Sequence, residues 1–258
     1  MELSHGYGPR LHVLDEPALL SILARLGSPA TSTAEVPHLV RAAYARLLHA
    51  VLDARFPTQQ VEVPTRMAAT EPRAIYKGRA LCRRTRLVIC AVVRAGILPA
   101  QTCYELACEM LPPENVRIDF LNLSRETDEQ GRVVGVRMDG SKIGGDVDDA
   151  VVVIPDPMGA TGGTVCRAVD VYRGFSLRPP RAIVAIHLMC TPEATQRVLE
   201  TSPGTEIWCG RFDRGLSDDD VLRTPPGTYP QKERGLNEVQ YVVPGAGGLG
   251  ELLTNSWV

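Results

Sequence analysis

Asp156, Thr161 and Thr164 fall within one run of nine residues, Asp156-Pro157-Met158-Gly159-Ala160-Thr161-Gly162-Gly163-Thr164. The residue types suit the binding of a phosphorylated sugar. Threonine hydroxyls and the free backbone N–H groups of a glycine-rich turn are donors for phosphate oxygens, and glycine lets the backbone approach without a Cβ in the way. A carboxylate such as Asp156 accepts from sugar hydroxyls or faces a metal ion. The run is not a phosphate loop of the Gly-Lys-Ser/Thr kind, and it holds no GxGxxG fingerprint. The plain alternative is a tight strand-to-helix connection whose glycines serve packing alone. One acid and two threonines among so many turn residues favour the binding reading.

Elements must exist to present that run. Val151-Val152-Val153-Ile154 precedes it as a short apolar strand, and Val165, Ala168, Val169 and Tyr172 follow at helical spacing. Leu87 to Val93 is a second fully apolar strand, as expected of a parallel strand covered on both faces. A helix follows it to Met110, closed by Pro112-Pro113. Further strands are expected at Val116 to Leu123, Ile183 to Leu188 and Glu206 to Cys209. Thr191-Pro192-Glu193 reads as a helix start. This order predicts an α/β fold with a parallel sheet and right-handed crossovers. Ligands of such sheets sit beyond the carboxyl ends of the strands. Arg94, Arg125 and Asp156 each lie just past a strand end, so three distant segments converge on one crevice. An arginine there can grip pyrophosphate through its planar fork. Taken singly, each arginine is equally a structural ion pair.

The remainder of the chain frames this core. Two helices are expected before it, one with Leu19, Leu20, Ile22, Leu23 and Leu26 on its apolar face, the other capped by Ser32 or Thr33 and running to Arg55. They read as an N-terminal helical arm, about 11–57, packing on a core of about 58–258 or on a partner subunit, and the apolar face of each helix outside the α/β core is expected to support a homodimer or higher homo-oligomer. Val61 to Met67 is expected as an edge strand, and the polar stretch from Ser124 to Asp149 as a hairpin or flap around Glu129-Gln130-Gly131. His187, inside a strand, reads as a satisfied core histidine. Asp218-Asp219-Asp220 reads as a solvated turn or helix start rather than a metal site.

The run at 156–164 resembles the phosphoribosyl-pyrophosphate loop of uracil phosphoribosyltransferases, Asp-Pro-Met-Leu-Ala-Thr-Gly-Gly-Ser, departing at Gly159 and Thr164. Val92-Val93-Arg94-Ala95-Gly96 is similar to that family's Ile-Leu-Arg-Ala-Gly, and Arg125-Glu126-Thr127 to its flap. Leu236-Asn237-Glu238 and Tyr241-Val242-Val243-Pro244-Gly245 resemble its base-binding end. The resemblance spans about Leu11 to the end. It implies a phosphoribosyltransferase-like fold and transfer of phosphoribosyl from phosphoribosyl pyrophosphate to uracil, giving UMP and pyrophosphate. It assigns Arg94, Arg125, Asp156 to Thr164 and Gly248 to the donor, with Arg94 and Asp156 catalytic. Main-chain groups of Val242, Gly247, Gly248 and Leu249 fall to the base, and Mg2+ arrives on the donor. Where the family runs Pro-Gly-Leu-Gly-Asp-Ala-Gly-Asp, this chain has Pro244-Gly245-Ala246-Gly247-Gly248-Leu249-Gly250-Glu251. Gly248 thus replaces an aspartate, Leu249 an alanine, and Glu251 offers an acid displaced along the chain. The segment from Asp213 to Arg234 is longer than the family's connection.

Composition excludes other classes. The net charge is −2 and aromatics are 5% of 258 residues, so neither a nucleic-acid footprint nor a base-stacking platform is present. Only Lys77, Lys142 and Lys232 are lysines among 28 basic residues. Seven cysteines without CxxC spacing read as reduced thiols and a cytoplasmic protein. No signal peptide or apolar run of membrane length is expected. Two rivals remain: transfer to a different base, and a non-catalytic nucleotide-binding regulator of the same fold.

Overall fold

A computed structural model describes residues 1–127 and 133–256; of the side chains at 125, 127, 133 and 134 nothing is stated. In chain order the elements are β1 (Leu11–Val13), α1 (Pro17–Leu26), α2 (Val36–Arg55), β2 (Thr58–Pro64), β3 (Ile75–Leu81), β4 (Leu87–Val93), α3 (Ile97–Met110), β5 (Val116–Thr127), β6 (Val133–Lys142), β7 (Val151–Pro155), β8 (Met158–Gly159), α4 (Gly163–Phe175), β9 (Ala182–Cys190), α5 (Pro192–Thr201), β10 (Thr205–Phe212), α6 (Asp219–Leu222) and α7 (Leu249–Thr254). The main sheet runs β1-β10-β9-β7-β4-β5-β6, with β8 added beside β9. All its pairings are parallel except β5 with β6.

Period-two alternation divides each central strand between two apolar layers. Leu87, Ile89, Ala91, Val151 and Val153 face a cluster that includes Val40, Leu47 and Ala100 of α2 and α3. Val88, Cys90, Val152 and Ile154 face a second cluster with Val165, Ala168, Val169 and Tyr172 of α4. Every residue of β7 is buried. Burial on both sides explains the unbroken Val-Val-Val-Ile run, each such side chain contributing about 1.5–3 kcal/mol.

The helices at the N-terminus close on this sheet. Leu23, Val40, Leu47, Leu48 and Val51 are all 0% exposed, and Tyr44 Oη donates to the Ile186 carbonyl of β9 at 3.2 Å. Their apolar faces are therefore consumed within the chain, as expected of an arm packing on the core, and supply no argument for a dimer through these helices. β1, not foreseen within the expected arm, lies beside β10 at the sheet edge. Three residues are too few to show a period. The cap of α2 also differs from expectation. Glu35 occupies the N-cap without a side-chain cap bond, and Ser32 instead donates through N and Oγ to the Glu35 carboxylate at 3.1 and 2.7 Å. The edge strand expected around Val61 is β2, but it pairs antiparallel with β3 in a separate two-stranded sheet that the sequence reading missed. The expected flap is the β5–β6 antiparallel pair, so β5 runs four residues beyond Leu123; its tip, with Glu129-Gln130-Gly131, lies outside the described residues. Among the described residues no helix is long and apolar enough to cross a membrane.

Candidate active site

The run Asp156 to Thr164 leaves the carboxyl end of β7 and crosses the top of β9. The Asp156 N–H donates to the Ile186 carbonyl at 3.0 Å, and the Leu188 N–H to the Pro157 carbonyl at 3.0 Å. Met158 and Gly159 add the short β8 beside Met189 and Cys190. Thr191 then does two things. Its Oγ1 donates to the Ala160 carbonyl at 2.6 Å and accepts from the Ala194 N–H at 3.0 Å, so the predicted cap of α5 also fixes the loop. Gly162 turns the chain into α4 at φ +73°, where a Cβ would stand 2.9 Å from the Ala194 carbonyl. Conformation and space both demand glycine there. The amino end of α4, with its positive dipole end, therefore lines the same cavity as Asp156.

A cavity of about 180 Å³ lies over this loop, lined by Arg94, Ser124, Asp156, Met158, Thr161, Thr164 and their neighbours. Gly159, Ala160 and Gly162 line it too. Pro157 and Gly163 are buried and do not line it; they hold the loop rather than face the space. Arg125 pairs with Val136 in the β5–β6 ladder, and its side chain lies outside what is described. Arg94 follows β4 directly. Gly96 behind it admits no Cβ, because the Val92 carbonyl would be 2.6 Å away. The Arg94 guanidinium donates to the Ser256 carbonyl at 2.9 Å and stands 3.7 Å from the Glu251 carboxylate.

Arg94, Ala95, Leu123, Ser124, Met158 and Ala160 also line a second cavity of about 670 Å³, closed by Tyr241, Val242, Gly247, Gly248, Leu249 and Glu251. The two cavities form one crevice with Arg94 at the junction. The second end is built from a tight turn and a glycine-rich bend. Tyr241 N–H donates to Asn237 Oδ1 at 2.8 Å, and Gly245 and Gly247 sit at φ +60° and +73°. Leu249, expected beside the base, reaches the cavity while being only 1% exposed, since its side chain belongs to the core under α2. At Gly248 a Cβ would lie 2.3 Å from Glu251 Oε2.

Residues missed in sequence secure this second end. Asp213, 1% exposed, accepts from Arg211 Nε and Nη2 at 2.6 and 2.8 Å and from the Gly245 N–H at 2.8 Å. Arg211 Nη2 in turn donates to the Gly245 carbonyl at 2.9 Å. One ion pair thus holds both polar groups of Gly245. Glu193, read as a helix-start acid, accepts from the Gly235 N–H at 3.0 Å. An acid or base just past each strand end was the available signal, and Asp213 just past β10 satisfies it.

His187 lies under the loop, fully buried, with Nδ1 donating to the Asp156 carbonyl at 2.6 Å. It is the satisfied histidine expected, and it also lines the cavity. Burial holds its imidazole below the ordinary value of 6.5, opposed by the nearby Asp156. The folded chain therefore keeps it neutral while the unfolded chain takes up a proton below about 6.5, so stability is complete above that pH and declines as pH falls toward the lowered folded value. Urea unfolding between about pH 7.5 and 5.5 is expected to show this loss in the parent and less of it in His187→Gln. Parallel curves for the two proteins would refute it. Burial pushes the Cys90 and Cys190 thiols up to about 12, in keeping with core fillers rather than nucleophiles. The acidic run 218–220 caps and begins α6, and among the described residues no group of three or more His, Cys, Asp or Glu is placed to hold a metal.

Comparison with known proteins follows this geometry. The chain is similar to uracil phosphoribosyltransferases of Symbiobacterium thermophilum, 27% identical over 95% of this chain and 97% of that protein, and of Pyrobaculum islandicum, 31% identical over 63% and 70%. Among solved structures, a protein from Aquifex aeolicus superposes with a TM-score of 0.71 at 21% identity over 95% of this chain and 97% of that one. Adenine phosphoribosyltransferase from Trypanosoma brucei superposes at 0.52 and 14% identity, covering 88% and 95%, so the fold is that of the phosphoribosyltransferases. The family model described as uracil phosphoribosyltransferase matches residues 13–228, which takes in both arginine segments and the whole of the loop over β7, and the chain belongs to that family.

Proposed function

We propose that the crevice joins uracil to phosphoribosyl pyrophosphate, giving UMP and pyrophosphate. The observation that carries this reading is one continuous crevice in which Arg94 stands between a phosphate-type loop and a main-chain-lined pocket. The amino end of α4, with Thr161 and Thr164, holds the 5′-phosphate. Asp156 takes the ribose hydroxyls. Arg94 and Arg125 grip pyrophosphate, and main-chain groups of Val242 and of Gly247 to Leu249 meet the base. Magnesium enters on the donor's pyrophosphate and makes it a better leaving group. The bond from the anomeric carbon to the pyrophosphate oxygen breaks while the uracil N1 bonds to that carbon and gives up its proton. Positive charge builds on the sugar in between, and positioning with charge stabilisation supplies most of the rate. The test is incubation with phosphoribosyl pyrophosphate, magnesium and a panel of bases, with detection of the nucleotide. UMP is the expected product. A different nucleotide would reassign the base, and no nucleotide from any base would overturn the transferase reading.

A further inference from the structure

Arg94 and Glu251 face each other across the junction of the two cavities. Among the described residues Glu251 is the single carboxylate lining the larger cavity, as Asp156 is of the smaller. It stands in the first turn of α7, partly exposed, with one oxygen 3.7 Å from the Arg94 guanidinium. Its other oxygen lies over Gly248, in space that any side chain at 248 would take. The bare glycine therefore permits the carboxylate to reach the arginine.

This pairing bears on what Arg94 can accept, and the inference rests on the pyrophosphate reading of Arg94 above. A multiply anionic pyrophosphate arriving at the guanidinium meets a competing carboxylate already beside it. Coulomb repulsion between like charges a few ångströms apart in a partly closed cleft is substantial. A magnesium ion on the pyrophosphate cancels much of that charge, and most of the repulsion goes with it. We propose that Glu251 is a specificity-determining residue that makes the crevice discriminate between metal-loaded and metal-free pyrophosphate, by competing for Arg94 with the metal-free form alone.

The probe is inorganic pyrophosphate, titrated calorimetrically into the full chain with and without magnesium. Glu251→Gln removes the charge at a partly exposed position and keeps the shape. It is expected to bind metal-free pyrophosphate about tenfold more tightly than the parent, while magnesium pyrophosphate binds within about twofold, so that the metal dependence shrinks. Glu251→Asp keeps the charge and is expected to retain most of the parent's metal dependence. Metal-free affinity that is unchanged or weaker in Glu251→Gln overturns the proposal. Loss of magnesium-pyrophosphate affinity in that variant also overturns it, because Glu251 would then be holding the metal complex. A parent chain that binds neither form sinks this proposal together with the donor reading; a parent that binds both with a null effect in Glu251→Gln sinks this one alone.

Discussion

Arg94→Ala is expected to lower kcat/KM for the donor by about 30- to 1,000-fold, corresponding to about 2–4 kcal/mol of lost transition-state stabilisation. The estimate follows from position. Arg94 borders both cavities, and the proposed reaction puts the leaving pyrophosphate there. A charge-assisted contact there is made most strongly as charge develops, so its loss falls on the rate rather than on binding alone. Arg94→Lys keeps the charge without the planar fork and should recover only part of the rate. Arg94 also ties down the C-terminal segment through Ser256 and Glu251. Were that its whole role, Arg94→Ala would alter the unfolding midpoint and leave steady-state kinetics with saturating donor and varied donor at parental values. Such a result would remove Arg94 from the site.

Asp213→Ala carries the second large effect, at the opposite end of the crevice. Removing one partner of a buried ion pair leaves the other charge uncompensated, at a cost of about 3–5 kcal/mol. Here the loss has an address. The Arg211 guanidinium keeps only the Gly245 carbonyl, the Gly245 N–H loses its acceptor, and Gly245 opens the bend that carries Gly247 to Leu249. The expected outcome is a lower urea midpoint together with a raised KM for the base, while donor affinity stays within a few fold. The donor loop depends on Thr191 and on β9 instead, and Asp213 meets the end of β9 through its own N–H on the Cys190 carbonyl. Equal losses of donor and base affinity would show that the two ends do not separate in this way.

The division between what was readable in sequence and what was not follows the range of the contacts. β4 and β7 were legible because strands buried on both faces have no polar alternation to confuse them. The donor loop was legible because residue type alone implies its chemistry. Thr191 was placed correctly as a cap, since a cap is local, but its second bond to Ala160 was not readable. The Arg211–Asp213 clamp needs β10 to meet a loop more than thirty residues onward, and no local pattern encodes such a meeting. Gly159 shows the same limit at a single position. The sequence marks it as a departure from leucine; only the fold shows why, since a Cβ there would stand 2.9 Å from both Cys190 Sγ and His187 Cδ2. Two side chains of β9 fill the space that a side chain at 159 would take.

The long excursion after Asp213 returns almost to where it began. The Gly215 N–H donates to the Val243 carbonyl and the Leu216 N–H to the Arg234 carbonyl, each at 3.0 Å, while the buried Glu233 meets Arg214 at 3.0 Å. A loop whose two ends are stitched together transmits little of its own length to its surroundings. Val221 is buried and the Pro226 carbonyl accepts from the Gly6 N–H, but Thr228, Tyr229, Gln231 and Lys232 are exposed, and insertion among them would then change the silhouette of the molecule and leave the spacing of Asp213 and Gly235 as it is. Evolution can lengthen such a handle step by step with the catalytic crevice standing still, and a tag or reporter placed there would hang from the enzyme without pulling on it.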